Sequence, residues 1–259
     1  MSDASDALPR IPRIVLFRVF LRSLLLQASW NPKGMQNLGL AYALYPALEV
    51  LYPERTALQA AVQRHLAFFN THPYSAAAIL GGVLYHERRI AAGQEPPSQA
   101  VAFKAALMGP LAALGDGFFW LSLKPAAGAL SAALVPWLGL WAVLLFLVLY
   151  NAVHFSLRGW LFRLGLEQGD GLVVSLSRVR LPQRGALLRN LAAACAGGLV
   201  VIAAQRVVQV TGQRESALLA LACVALAVLT YMRMAWRPAR YVALYLAAGL
   251  AVLSAALIR

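Results

Sequence analysis

The stretch that decides how this chain folds is residues 104–125, KAALMGPLAALGDGFFWLSLKP. It is apolar enough to enter a bilayer, yet Gly109-Pro110 falls in its middle and Asp116 sits between Gly115 and Gly117. Proline carries no backbone donor, and glycine frees the backbone further. In hydrocarbon such features persist where the freed polar groups are buried in protein or line a cavity. A carboxylate at membrane depth costs about 3 kcal/mol on insertion scales, so it usually has a partner or a task. One reading is a broken helix or re-entrant hairpin around a polar site. The other is a kinked helix in which Asp116 caps the helix starting at Gly117. On either reading Gly109, Pro110, Gly115, Gly117 and Pro125 are structural breaks.

Composition sets the class. Of 259 residues, 61% are hydrophobic and only 13% are charged, and the mean hydropathy is +0.66. A soluble domain of this size would carry far more polar surface. Several apolar runs approach the roughly 20 residues that a spanning helix needs. The chain reads as an all-α polytopic membrane protein. Its opening, MSDASDALPR, holds two acids and no apolar core before Ile11, which argues against a cleavable secretory signal.

The net charge of +13 comes from 23 basic against 10 acidic residues. The arginines stand between apolar runs, a placement that suits loop retention and contact with anionic lipid rather than nucleic acid. Cys195 and Cys223 lie inside apolar stretches without metal-ligand spacing and read as packing residues. No metal and no cofactor is expected.

Taken in order, residues 11–26 form an amphipathic helix with Arg13, Arg18 and Arg22 turned to headgroups. The polar run 27–34 ends it, and a second helix over 35–45 stops at Pro46. Helix, polar turn and helix together suggest a hairpin dipping into the membrane. Residues 54–66 are helical, the turn 70–73 interrupts the next apolar segment, and 91–98 form a polar loop. Residues 127–154 read as one span with Pro136 inside. A basic loop, 155–190, carries Arg158, Arg163, Arg178, Arg180, Arg184 and Arg189. Spans at 191–208, 217–234 and 241–258 follow. The whole is one membrane domain, with broken helices in 1–126 and regular spanning helices in 127–259.

No nucleophile with its base, phosphate loop or His/Cys cluster is visible, so no catalytic residue is named. Gln27, Ser29, Trp30 and Asn31 combine an aromatic face with amide and hydroxyl groups, the usual means of holding a neutral polyol or a partner surface. Asn31 is the favoured member, with turn formation before Pro32 as its other explanation. Asn70 and His72 stand in the turn before Pro73, and Asp116 completes the set of substrate or interface candidates. His65 reads as a solvated helix residue, His86 as a solvated helix end and His154 as interfacial. Asn151 reads as an interhelix hydrogen bond.

Three strings then carry a resemblance: RSLLLQASWNPKGMQNLGLAYALYPAL (22–48), LAFFNTHPYSAAAILG (66–81) and the 104–125 stretch. In order and spacing the chain resembles the IID component of the mannose/fructose/sorbose-type sugar phosphotransferase system, over essentially its whole length. The resemblance implies a non-catalytic membrane subunit that pairs with a IIC membrane subunit in a hetero-oligomer. Cytoplasmic IIA and IIB proteins serve such complexes, and IIB passes phosphate to the entering hexose. The sugar site in such complexes is thought to lie largely on the IIC side. The chain departs from the family's pattern at Pro32-Lys33-Gly34, at Gly117, at Lys124 and at His86-Glu87-Arg88-Arg89, where a run of acids is usual. Two functions are therefore open: a sugar-translocating subunit, or a membrane scaffold or sensor that keeps the fold and moves no sugar.

The basic loops belong in the cytoplasm. Alternating sides through the C-terminal spans puts the C-terminus outside, the basic N-terminus is expected inside, and the resemblance implies a bacterial inner-membrane location. Reporter fusions after Arg259 and within 155–190 check this: the first should report the outside, the second the cytoplasm. A cytoplasmic report from the C-terminal fusion would refute the assignment.

Overall fold

A computed structural model describes residues 8–211, which are helices joined by short turns. The expected spans at 217–234 and 241–258, and Cys223, lie outside the described residues.

Helix α1, Arg13–Ser23, buries Val15, Val19 and Ser23 at four-residue spacing. Its opposite side exposes Ile14, Phe17 and Leu21 beside Arg13 and Arg18, the pattern of a helix lying in an interface. Helix α2, Asn37–Leu51, packs against α1. It does not stop at Pro46, as the sequence suggested, but runs through it. Pro46 cannot donate to the carbonyl four residues back, which belongs to Tyr42. Arg22 fills that vacancy: its Nη1 donates to the Tyr42 carbonyl at 3.3 Å, with the guanidinium 4.6 Å from the Tyr42 ring centre. One arginine thus mends α2 and ties it to α1.

Helices α3, Arg55–His65, and α4, Ala76–Ala91, follow, joined by the non-helical segment 66–75, which contains the expected turn at 70–73. From Ala76 to Leu84 every residue of α4 is buried. Its main partner is α7, Trp141–Gln168, and the two approach backbone to backbone. A Cβ on Gly81 would strike the Phe162 carbonyl, and one on Gly165 would strike the Ala78 carbonyl. Small residues permit this close crossing, as at interfaces between membrane helices.

The 104–125 stretch departs from expectation. Helix α5, Ser98–Gly115, passes through Pro110, continues as a π-helical segment over Asp116–Leu123 and becomes α6, Lys124–Leu138. The helix bends its hydrogen-bond pattern rather than breaking. Two side chains from the 66–75 turn support it near Pro110. Thr71 Oγ1 donates to the Met108 carbonyl at 2.9 Å, and Ser75 Oγ donates to the Leu111 carbonyl at 2.8 Å. Asp116 makes no cap; it is an exposed residue in helical conformation, with φ −60° and ψ −46°.

Further on, the expected single span 127–154 is two helices. Helix α6 ends at Leu138, and Gly139, at φ +55°, makes the corner into α7. Residues 155–190, expected as a loop, are mostly helical: the second half of α7, a 3₁₀ turn at Gly169–Gly171, α8 (Leu172–Val179) and the start of α9 (Leu181–Thr211). The stretches Ser98–Leu138 and Trp141–Ala203 are each long and apolar enough to cross a membrane. Asn151 bonds within its own helix, to the Leu147 carbonyl at 2.8 Å, rather than across helices.

Outside those stretches a buried carboxylate, Glu87 of α4, gathers neighbours from three elements. Arg64 donates from Nε to Oε1 at 2.7 Å and from Nη2 to Oε2 at 2.6 Å. The Tyr52 hydroxyl donates to Oε2 at 2.7 Å, and His65 Nε2 lies 2.8 Å from Oε1. Lys104 Nζ reaches in from α5 to the Arg64 carbonyl at 3.2 Å. His65 is therefore no solvated residue; it is 0% exposed. His86 is buried too, its Nδ1 2.8 Å from Glu95 Oε2, so the end of α4 is a folded polar junction. A single sequence does not show these partners because Tyr52, Arg64 and Glu95 lie on other segments.

Burial would raise the Glu87 carboxyl, but the hydrogen bonds from Arg64 and His65 outweigh it and hold the group down at about 2. Burial, together with the same carboxylate, pushes the Tyr52 phenol up. The ordinary value of the carboxyl is 4.5. Its contribution to stability is therefore complete above pH 4.5 and is lost as pH falls toward 2. Glu87→Gln leaves Arg64 buried beside an uncharged partner and should cost about 3–5 kcal/mol. Thermal unfolding of the purified protein at neutral pH measures this, and a loss below ~1 kcal/mol would refute the cluster's role.

Candidate functional site

The turns singled out in the sequence meet in space. Met35 bridges to Asn31 on one side and to Phe69 on the other. The Asn31 N–H donates to the Met35 carbonyl at 3.1 Å, and the Met35 N–H donates back at 2.8 Å. Asn31 Oδ1 accepts from the Gly34 N–H at 2.7 Å, and its Nδ2 donates to Asn37 Oδ1 at 3.1 Å. Asn37 Nδ2 in turn donates to the Leu66 carbonyl at 2.6 Å. Deeper in, Gln36 and Thr71 pair reciprocally. Gln36 Nε2 donates to the Thr71 carbonyl at 2.8 Å, and the Thr71 N–H donates to Gln36 Oε1 at 3.1 Å. Irregular backbone inside an apolar protein has to be satisfied this way.

Next to this weave is an aromatic cluster centred on His72 and Tyr74. The His72 ring stacks on Phe119 at 5.1 Å with 7° between planes, and it also meets Tyr74 and Trp120, each at 5.0 Å. Tyr74 stacks on His154 at 3.6 Å, and its hydroxyl lies 3.4 Å from that of Tyr150. Arg158, one turn beyond His154 on α7, is buried against Tyr74 and donates to Ser23 Oγ of α1 at 3.1 Å. The Tyr74 N–H donates to His72 Nδ1 at 3.3 Å, so a neutral His72 ring carries its proton on Nε2. Among the described residues, His72 Nε2, both ring nitrogens of His154 and Arg158 Nε find no partner. Aromatic faces beside unmatched donors and acceptors suit hydroxyl groups. Nothing here resembles a nucleophile with its base, and no group of three His, Cys, Asp or Glu among the described residues could hold a metal.

The candidates separate on this geometry. Asn31 builds the first turn, and His72 lies at the centre of the cluster. Asn70 keeps an exposed side chain; its backbone N–H contacts the Met108 sulfur at 3.5 Å. Gln27, Ser29 and Trp30 are exposed, and only the Ser29 carbonyl touches the weave, accepting from Asn31 at 3.5 Å. Asp116 is exposed, outside both groups. Of the suspected structural glycines, only Gly115 is in close contact, with the His72 ring; Gly109 and Gly117 face open space. Pro125 is the second residue of α6, where the π-helical segment passes into it. Nothing local in the sequence singles out Gln36, Thr71, Tyr74 or Tyr150, while Arg158, expected in a basic loop, and His154, expected at the interface, are both buried. The spacing of His154 and Arg158, four apart in an apolar helix, was the available signal.

The family of the mannose/fructose/sorbose IID component of the phosphotransferase system matches residues 10–257. The chain belongs to this IID family. Among similar IID proteins, the mannose-specific EIID component of Escherichia coli K12 is 43% identical over 157 residues, 60% of this chain and 56% of the relative. The fructose permease IID component of Bacillus subtilis is 33% identical over 66% of this chain and 63% of its own length. The sorbose-specific EIID component of Klebsiella pneumoniae is 36% identical over 61% and 58%. The chain thus spans little more than half the length of the first of these relatives. A solved structure of the mannose transporter ManYZ with microcin E492 is similar, with 36% identity, a TM-score of 0.60, and coverage of 74% of this chain and 71% of that one. A second, described as a membrane protein, gives a TM-score of 0.66 at the same identity and coverage.

Gly115 offers a direct check of the His72 cluster in this IID chain. Gly115→Ala places a methyl group into the imidazole and should destabilise the protein by about 1–3 kcal/mol. Gly117→Ala meets open space and should be neutral, or stabilise by up to ~1 kcal/mol through helix propensity. Equal effects of the two in thermal unfolding would refute the packing described.

Proposed function

We propose that this chain is the IID subunit of a mannose-family sugar permease. With a IIC partner it carries a hexose across the bacterial inner membrane while IIB, charged through IIA, phosphorylates the sugar. The observation that carries this reading is the family match over residues 10–257, supported by the likeness to a mannose transporter structure. The subunit itself supplies no phosphoryl-transfer group. Its share is structural: it provides half of the membrane complex and holds the polar turns at 31–37 and 66–75 in one place. Residues 1–259 act as a single membrane unit, with the N-terminus in the cytoplasm and the C-terminus outside.

Within that unit, Asn31 and His72 shape the surface nearest the partner and the sugar path. Asp116, an exposed acid beside exposed Trp120 on a membrane-spanning helix, makes a polar contact with the partner. Gln27, Ser29, Trp30 and Asn70, also exposed, belong to the same contact surface.

The test is sugar uptake coupled to phosphorylation in cells that carry IIC, IIA and IIB with or without this chain. Uptake should require it. Normal assembly with IIC but no uptake of any hexose would favour a scaffold or sensor. Asp116→Asn keeps the hydrogen-bonding shape and should retain partial transport, whereas Asp116→Leu should lose it together with IIC binding. Full transport by Asp116→Leu would remove Asp116 from the interface.

A further inference from the structure

Two apolar cavities flank the corner where α8 turns into α9, and Leu181 lines both. The first, about 320 Å³, lies against α5, with Leu107, Pro110, Leu111 and Leu176 in its wall and Arg180 at the corner. The second, about 480 Å³, lies between the π-helical segment and α7. Phe118, Val153, Leu157 and Trp160 line it, together with Arg184. Each volume is within the roughly 300–1,000 Å³ typical of sites that enclose small organic ligands.

The two arginines are one turn apart, the Arg184 N–H donating to the Arg180 carbonyl at 3.1 Å. Arg180 is the residue just before α9 and Arg184 lies in that helix's first turn, so both stand at the corner. Both are exposed, and neither forms an ion pair among the described residues. Arg180 also adopts a left-handed backbone, φ +52° and ψ +46°, a conformation better suited to glycine or asparagine. A strained position occupied by a charged residue marks a place where the charge has a use.

We propose that this corner binds a diacyl acidic phospholipid. One acyl chain enters each cavity, and the phosphate lies between Arg180 and Arg184. The shared wall at Leu181 places the two chains side by side, as they leave one glycerol. Polar side chains are few in both walls, Ser177 and Gln183 in the first and Ser156 in the second. A protein segment laid there would bury backbone N–H and C=O groups without partners, whereas acyl chains have none to satisfy. A zwitterionic lipid would leave the paired positive charge uncompensated. Basic pockets between membrane helices recognise acidic headgroups on the same principle.

Trp160, in the second cavity, reports occupancy. The full chain, purified with its membrane partner, is placed in nanodiscs containing a minor fraction of dibrominated phosphatidylglycerol in phosphatidylcholine, or of dibrominated phosphatidylcholine in phosphatidylglycerol. Subtracting the signal of Trp160→Phe isolates quenching at this position. Brominated phosphatidylglycerol should quench Trp160 strongly and brominated phosphatidylcholine weakly. Arg180→Gly and Arg184→Gln should each lower that preference about fivefold. Arg180→Gly should also hold or raise the melting temperature, because glycine accepts the left-handed backbone; this separates loss of charge from loss of fold. Should that variant unfold, Arg184→Gln alone decides. Equal quenching by the two lipids, no quenching by either, or an unchanged preference in Arg184→Gln would overturn the proposal.

Discussion

Irregular backbone inside an apolar protein must find polar partners within the protein, and the reciprocal Gln36–Thr71 amide pair is where this chain meets that demand. The pair fixes the turn between α1 and α2 against the turn between α3 and α4. Thr71, once held, presents its hydroxyl to the Met108 carbonyl, and Ser75 does the same for Leu111. The long helix is thereby anchored to that turn on both sides of Pro110. His72 is drawn into contact with Gly115 and Phe119 by the same geometry. Two turns and one proline-bearing helix are thus a single interlocked unit. Losing any one set of hydrogen bonds would leave buried polar groups in the others.

The same logic governs the charges. Arg22 stands in for the donor that Pro46 lacks, and Glu87 is tolerated at full burial because Arg64, His65 and Tyr52 surround it. Neither arrangement joins sequence neighbours. Each ties one helix to another, so the polar groups that the membrane environment makes costly also specify which helices pack together. The glycine crossing of α4 and α7 adds the complementary apolar contact.

Helical class, the amphipathic first helix and the turns near Asn31 and Asn70–Pro73 were legible because each has a local signature: spaced arginines, Asn-Pro, Thr-His-Pro. Partnering was not. Pro46 reads as a stop because Arg22, which bonds the carbonyl it leaves free, is far away in sequence, and the turn residues that anchor the helix beside Pro110, Thr71 and Ser75, are equally distant. His65 reads as solvated because its partner Glu87 lies on another helix, and His86 because the turn after α4 folds Glu95 back onto it. Asp116 drew the eye as an acid between glycines, yet it is exposed, while Glu87, embedded in an ordinary-looking charged helix end, is the buried one. Local composition shows what a residue would cost if left alone. It does not show whether the fold leaves it alone.

That distinction changes how the arginines of 155–190 should be weighed. Arg158 is buried, hydrogen-bonded to Ser23, and Arg189 reaches Ser122 at 2.9 Å. Both serve helix packing and say little about which side of a membrane they face. Arg163 is exposed but shares its charge with Glu167 at 2.7 Å. What remains for the positive-inside bias is the group at the α8–α9 corner, Arg178, Arg180 and Arg184, all exposed. Their charge is concentrated within about two helical turns instead of being spread along a loop. A compact basic corner on a helical scaffold holds its charges in fixed positions relative to the bilayer, whereas a flexible loop averages them. The residues proposed to orient the chain and those proposed to recognise an acidic lipid are then the same residues. Both effects follow from three guanidinium groups that form no ion pair among the described residues.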